Sequence, residues 1–178
     1  MSTYVVISGL PGAGKSTVAA ALAKKADLLV FDKDDFLETL FANSVPKTQL
    51  ERRQLSHIAD RAFQSAVQAS RAAIVVSWWK HPKSHGESGT PTEWLLNLPG
   101  NLVEVYCQCA PEVAAARFFS RKRHPGHLDE LWSEQELRAL LRQSFLLGPL
   151  AIARVVEVDS SRSIDYGDLW TRVMAPRK

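Results

Sequence analysis

Apolar and β-branched residues gather in five short runs, each too brief for a helix and each closed by a turn or helix signal. They are Tyr4-Val5-Val6-Ile7, Leu28-Leu29-Val30-Phe31, Ala73-Ile74-Val75-Val76, Leu102 to Tyr106, and Val155-Val156-Glu157-Val158. Runs that are apolar at nearly every position suit strands covered on both faces, the usual condition of a parallel sheet. Helical stretches separate them: Ser16 to Ala23, Phe36 to Phe41, Lys47 to about Arg71, Pro111 to about Lys122, Asp129 to Phe145, and Asp168 to Met174. In the longest, Leu50, Leu55, Ile58, Ala62, Ala66 and Ala69 recur mostly at three- and four-residue intervals, predicting one amphipathic helix on a sheet face. Pro111 suits a first helical turn, and Pro125-Gly126 and Gly148-Pro149 read as stops. Five strands alternating with helices predict a three-layer α/β domain built on a parallel sheet.

The chain of 178 residues, 46% hydrophobic and 23% charged, holds one core, and no Gly- or Ser-rich linker divides it, so residues 1–178 read as one domain. The polar, aperiodic segment at 80–91 is expected to be a flexible loop. A net charge of +3 is below what a dedicated nucleic-acid binder carries, which makes nucleic acid a disfavoured partner. The two cysteines, Cys107 and Cys109, straddle one residue and cannot staple the fold, pointing to a reducing compartment. Histidines at 57, 81, 85, 124 and 127 show no zinc spacing with them. Neither a membrane span nor a secretory leader is visible, and the expectation is a cytoplasmic protein without a membrane partner.

The strongest chemical signal follows the first strand. Gly9-Leu10-Pro11-Gly12-Ala13-Gly14-Lys15-Ser16 has the spacing of a phosphate loop, between a strand and a helix as that motif requires. Its glycines let successive N–H groups turn inward, and the helix that follows adds its positive end. Gly9, Pro11, Gly12, Ala13, Gly14, Lys15, Ser16 and Thr17 are therefore the expected nucleotide-binding residues. Lys15 is placed to bridge the outer phosphates of ATP and Ser16 to ligate Mg2+, while Thr17 is expected to pack.

Ligands of parallel sheets sit beyond the strand C-termini, so Asp32, Asp34 and Asp35 after the second strand share the loop's crevice. Asp34 is the candidate to orient an acceptor hydroxyl and take its proton. Asp32 is a candidate for the metal shell, and Asp35 for capping the helix opened by Phe36. The third strand ends in Ser77 where hydrolytic motors on this scaffold carry an acid, which weakens a plain ATPase reading and leaves Ser77 to support the metal through water. Trp78 and Trp79 are candidates for an acceptor wall beside Lys80 and His81; the competing reading packs one of them and leaves the other half exposed.

A basic stretch around 117–128, with Arg117, Arg121, Lys122 and Arg123 ahead of His124-Pro125-Gly126-His127, reads as a lid. Arg117 and Arg121, four apart, are expected to share a helix face and fold over the triphosphate as catalytic cations, with Arg123 a further nucleotide contact. The histidines are expected to pin the turn, without a carboxylate partner.

With these motifs the chain resembles the small P-loop kinases, in particular zeta-toxin-like proteins, chloramphenicol phosphotransferase, gluconate kinase and the kinase domain of polynucleotide kinase. The likeness rests on Gly9 to Thr17, on Asp32-Lys33-Asp34-Asp35-Phe36, and on the segment from Cys109-Ala110-Pro111 to His124-Pro125-Gly126-His127. It implies a five-stranded sheet of order 2-3-1-4-5, Asp34 as the residue that activates the acceptor hydroxyl, Arg121 as the lid arginine, and Ser160 and Ser161 near the adenine. Where polynucleotide kinases carry a basic residue soon after the paired aspartates, this chain has Phe36-Leu37-Glu38. The expected activity is ATP- and magnesium-dependent phosphoryl transfer to a hydroxyl of a small-molecule acceptor. The alternatives are a nucleotide or polynucleotide kinase and a nucleotide-binding regulatory protein.

Overall fold

The computed structural model describes residues 2–86 and 88–176. In chain order the elements are β1 Thr3–Gly9, α1 Lys15–Ala26, β2 Val30–Asp32, α2 Lys33–Phe41, α3 Gln49–Ala69, β3 Ala73–Val76, β4 Asn101–Gln108, α4 Pro111–Ser120, α5 Glu134–Leu147, β5 Arg154–Asp159 and α6 Tyr166–Met174. All strand pairs are parallel, and the sheet order is β2-β3-β1-β4-β5, as the resemblance implied. β1 is central because its residues are apolar on both faces and buried from Thr3 to Ser8. The chain runs to one side of β1 through β2 and β3 and to the other through β4 and β5, so a crevice opens beyond the C-terminal end of β1.

Strand alternation divides the core in two. Val5, Ile7, Val103, Val105 and Cys107 face the layer of α1, α4, α5 and α6. Tyr4, Val6 and Val75 face the other way and pack on Phe63 and Val67 of α3, with Trp79 and Trp94. The α3 stripe therefore differs from the expected one. Ala59, Phe63 and Val67 are buried, whereas Leu50 is 66% exposed and Ile58 42%. The aromatic and β-branched residues set the buried face, since each removes more area from water than alanine does.

Three boundaries also differ. α2 begins at Lys33, and its N-cap is Asp32, whose carboxylate accepts the Asp34 N–H; Asp35 is exposed within the first turn and caps nothing. α4 stops at Ser120, leaving Arg121 as an extended C-cap. Two single 3-10 turns, Pro125–His127 and Asp129–Leu131, precede α5, which starts at a capping box between Ser133 and Glu136. The 80–91 segment is tied at its ends: the Lys80 N–H donates to the Thr90 carbonyl and the Thr90 N–H to the Trp78 carbonyl, both at 2.8 Å. Cys107 and Cys109 are buried free thiols, and burial pushes Cys107 up to about 12. Among the described residues, no helix is long and apolar enough to cross a membrane.

Candidate functional site

The phosphate loop leaves β1 at Gly9 and enters α1 at Gly14. Gly12 takes φ +83°, and a Cβ there would stand 2.2 Å from the Ala114 carbonyl oxygen, so the loop is pressed against α4 where only glycine fits. Gly14 has the same φ but open space around it, and it is the N-cap of α1. It supplies no side-chain cap, and the first turn holds no acid, so the free N–H groups of α1 face the crevice. That arrangement fits a polyanion. Pro11 and Ala13 are buried beneath the bend, and the Ala13 N–H closes it on the Leu10 carbonyl at 3.0 Å.

The Lys15 ammonium donates to the Gly9 and Leu10 carbonyls, 3.0 Å each. Burial lowers its pKa to about 8, with Cys107, Asp34 and Asp32 opposing and Arg121 adding to the shift. A cation held at this cost beside the free N–H donors of α1 suits a polyanion. Thr17 is exposed rather than packed, and its neighbours Val18 and Ala19 hold α1 to the core.

Ser16 and Asp32 meet although they lie on different strand–helix units: the Ser16 hydroxyl donates to Asp32 Oδ2 at 2.7 Å. Burial raises the Asp32 carboxyl, partly offset by the Ser16 hydrogen bond. A hydroxyl beside a carboxylate at the phosphate loop fits a hard oxygen-ligated cation such as magnesium. Asp34 follows on α2, its Oδ2 accepting from Arg123 Nη2. Burial alone would raise Asp34, but the Arg123 charge, with His127 and Arg121, outweighs it and holds the carboxyl below its ordinary value.

The lid segment is organised differently from its expected form. Arg117 and Arg121 share no face, because the helix ends between them. Arg117 turns toward β5, where its Nη1 donates to the Ser160 carbonyl at 3.0 Å and approaches Cys109 Sγ. Arg121 lies over the Phe118 ring, its Cζ 4.6 Å from the centroid, and feels the charges of Arg123, Asp129, Asp34 and Asp32. Arg123 is a clasp, bonding Asp34, both oxygens of Asp129, and His127 Nδ1. His127 does have a carboxylate partner, since its Nε2 bonds Glu38 Oε1 at 2.7 Å, and Phe41 receives His124 stacked on one side and His127 edge-on. Ser160 gives both its hydroxyl and its N–H to the Gln108 carbonyl, while its own carbonyl accepts from Arg117.

Ser77 and Trp79 are structural. Thr90 gives its one hydroxyl proton to Asp60, so Ser77 donates to Thr90 at 2.6 Å and its proton is unavailable to a metal-bound water. Trp79 packs against Phe63 and Trp94 and donates to the Ile7 carbonyl, while Trp78 stays half-buried. Two residues escaped the sequence reading. Arg52, on α3, has a buried Nε without a hydrogen-bond partner and feels Arg123, Asp34 and Asp129. Its signal is the polar stripe Arg52-Ser56-Asp60 at four-residue spacing, the last two bonding Lys33. Glu104, fully buried on β4, accepts from the Ser8 hydroxyl and from the Leu150 and Ala151 N–H groups; a lone acid inside an apolar strand was the available sign.

Residues 5–145 match the family described as AAA domain. A protein from Chloroflexus aurantiacus described as a kinase superposes with TM-score 0.74 at 22% identity, over 96% of this chain and 94% of that one. Shikimate kinase from Acinetobacter baumannii, in complex with shikimate, gives 0.61 at 17%, over 98% and 92%. An adenylate kinase of Thermococcus kodakarensis is 25% identical over 93% of this chain and 91% of its own. The five-stranded parallel fold is thus one that this chain shares with these structures.

Proposed function

The chain belongs to the AAA domain family, and on that footing we propose that it is an ATP- and magnesium-dependent phosphotransferase that moves the γ-phosphate to a hydroxyl of a small-molecule acceptor. The observation that carries this reading is the convergence of Lys15, Ser16–Asp32 and Asp34 at one sheet edge.

The free N–H groups at the α1 N-terminus, from Gly14 to Thr17, hold the phosphates, and Lys15 leaves the Gly9 and Leu10 carbonyls to bridge the outer two. Ser16 and Asp32 would hold magnesium, which when bound would neutralise phosphate charge. Asp34 keeps Oδ2 on Arg123 and offers Oδ1 to the acceptor hydroxyl. The acceptor oxygen forms a bond to the γ-phosphorus, the bond to the bridging oxygen breaks, ADP leaves, and the hydroxyl proton passes to Asp34. A carboxylate held ionised suits orientation of the hydroxyl more than early proton removal, in keeping with a loose transition state. Arg121 covers the transferring phosphoryl group, Arg123 steadies the lid against Asp34, and Arg117 with Ser160 lines the nucleotide-base side. A relationship to zeta-toxin-like proteins or chloramphenicol phosphotransferase, and a cytoplasmic setting, belong to the same proposal.

Acceptor-dependent ADP release tests it. Lys15→Ala is expected to lose nucleotide affinity, and Asp34→Asn to keep ATP bound while losing transfer by at least about a hundredfold. Full transfer by Asp34→Asn would remove Asp34 from its role. A nucleotide kinase is the second reading, favoured by the likeness to adenylate kinases and by Arg52, whose unpartnered Nε suits an acceptor phosphate.

A further inference from the structure

A cleft of about 90 Å³ opens between Ser8–Pro11 of the phosphate loop, the end of β3 and one face of α5. Its placement follows from strand alternation: Ser8, Glu104 and Tyr106 point to the α3 face, whereas Cys107 and Val105 point to α1. A molecule in the cleft would therefore meet the phosphate loop along Ser8–Pro11.

The walls have a definite chemistry. Trp78 is half-buried at the end of β3 and presents an indole, while Leu140, Ser144 and Leu147 fall at four- and three-residue spacing on the α5 face that borders the cleft. Tyr106 and Ser144 bring hydroxyls, and burial pushes the Tyr106 phenol up, so it stays a protonated donor. Among the described lining residues there is no lysine or arginine. The one basic side chain is His81, and both of its nitrogens are committed: Nδ1 accepts the Lys83 N–H, so Nε2 carries the proton and donates to the Pro149 carbonyl. Directly behind Ser8 lies the Glu104 carboxyl, with both oxygens taken by Ser8, Leu150 and Ala151. An anion entering this space would lose its hydration shell with no lysine or arginine among the described lining residues to meet it, the adjoining Lys15 ammonium being held on the Gly9 and Leu10 carbonyls.

We propose that this cleft is the acceptor site and that it selects an uncharged, ring-shaped polyhydroxy compound, its ring lying on Trp78 between the α5 leucines and its hydroxyls on Tyr106 and Ser144. The inference rests on the phosphotransferase reading for the transfer step but not for binding. It assigns specificity to Trp78, a positioning residue for the acceptor.

The test uses matched probes: neutral aldohexoses, pentoses and cyclitols, each with its carboxylate or phosphate counterpart. Saturation-transfer NMR measures binding to the full chain without turnover, and ADP release with magnesium and ATP measures transfer. Neutral members are expected to bind at least about tenfold more tightly than their charged counterparts. Trp78→Ala is expected to raise the acceptor KM about tenfold with a smaller change in kcat, and Trp78→Phe to restore most of the loss. Tighter binding of charged members, no binding of any neutral ring, or an unchanged KM in Trp78→Ala overturns the proposal. Neutral binding lost in Trp78→Ala, without ADP release from any probe, supports the cleft and contradicts the phosphotransferase reading instead.

Discussion

Lys15 is held charged at an electrostatic cost. Its folded pKa of about 8 lies below the ordinary 10.5, so the empty protein binds its proton less well than the unfolded chain does. The charge therefore destabilises the fold in full below about pH 8, and the cost fades as the pH rises from 8 toward 10.5. Lys15→Met should abolish nucleotide binding yet stabilise the empty protein by about 2 kcal/mol at pH 7, a gain that shrinks to less than about 1 kcal/mol at pH 10. Chemical denaturation at the two pH values checks it; a destabilised variant at pH 7 would refute the strain. His127 acts in the same direction in a more acidic window. Burial and then Arg123 lower its pKa, so stability falls as the pH drops below the ordinary 6.5, when the unfolded chain takes up a proton that the folded ring resists. In a pH series followed by lid-segment hydrogen exchange, protection at residues 123–129 should fade below about pH 6, and a His127→Gln variant should lose that dependence. Much of this site is legible in the chain because Lys15 and Ser16 occupy one contiguous motif and Asp32 and Asp34 another. Arg52 and Glu104 are not, since each meets its partners only after the sheet has assembled; Ser8 and Glu104 are 96 residues apart.

The elements differ in how firmly local rules fix them. α5 owes its start to the Ser133–Glu136 capping box, and Ser133→Ala should cost about 1 kcal/mol of thermal stability without touching nucleotide affinity. Gly12→Ala acts between elements, because its methyl group would strike the Ala114 backbone and drive α4 from the loop. It should lose nucleotide binding outright, measured by calorimetry, and a tolerated Gly12→Ala would mean that the loop and α4 are not in contact. Glu104→Gln replaces one acceptor oxygen by a donor facing the Ala151 N–H or the Ser8 and Leu150 pair, and a loss of about 1–3 kcal/mol is expected. The strands were readable because each is a dense apolar run. The α3 stripe was not, because alanines occur on several of its faces and only Phe63 and Val67 discriminate among them. The start of α2 was misplaced for a related reason: Asp32 to Asp35 reads equally well as the acidic end of a strand and as an N-cap followed by an acidic first turn.

At the scale of the molecule, one central strand delivers its C-terminus to the crevice where the chain changes direction, and that placement makes the phosphate loop the meeting point of two faces. The alternation of strand and helix was visible in the hydrophobic pattern, but strand order was not, since every permutation of five buried parallel strands yields the same periodicity. The order came from the resemblance, carried by the motif at Gly9–Thr17. The account stands on that loop gripping a nucleoside triphosphate. Isothermal titration of ATP with magnesium into the wild-type chain and into Lys15→Ala tests it most directly: saturable one-site binding that disappears in the variant is the expected result, and either an absence of binding to the wild type or equal binding by both would contradict it.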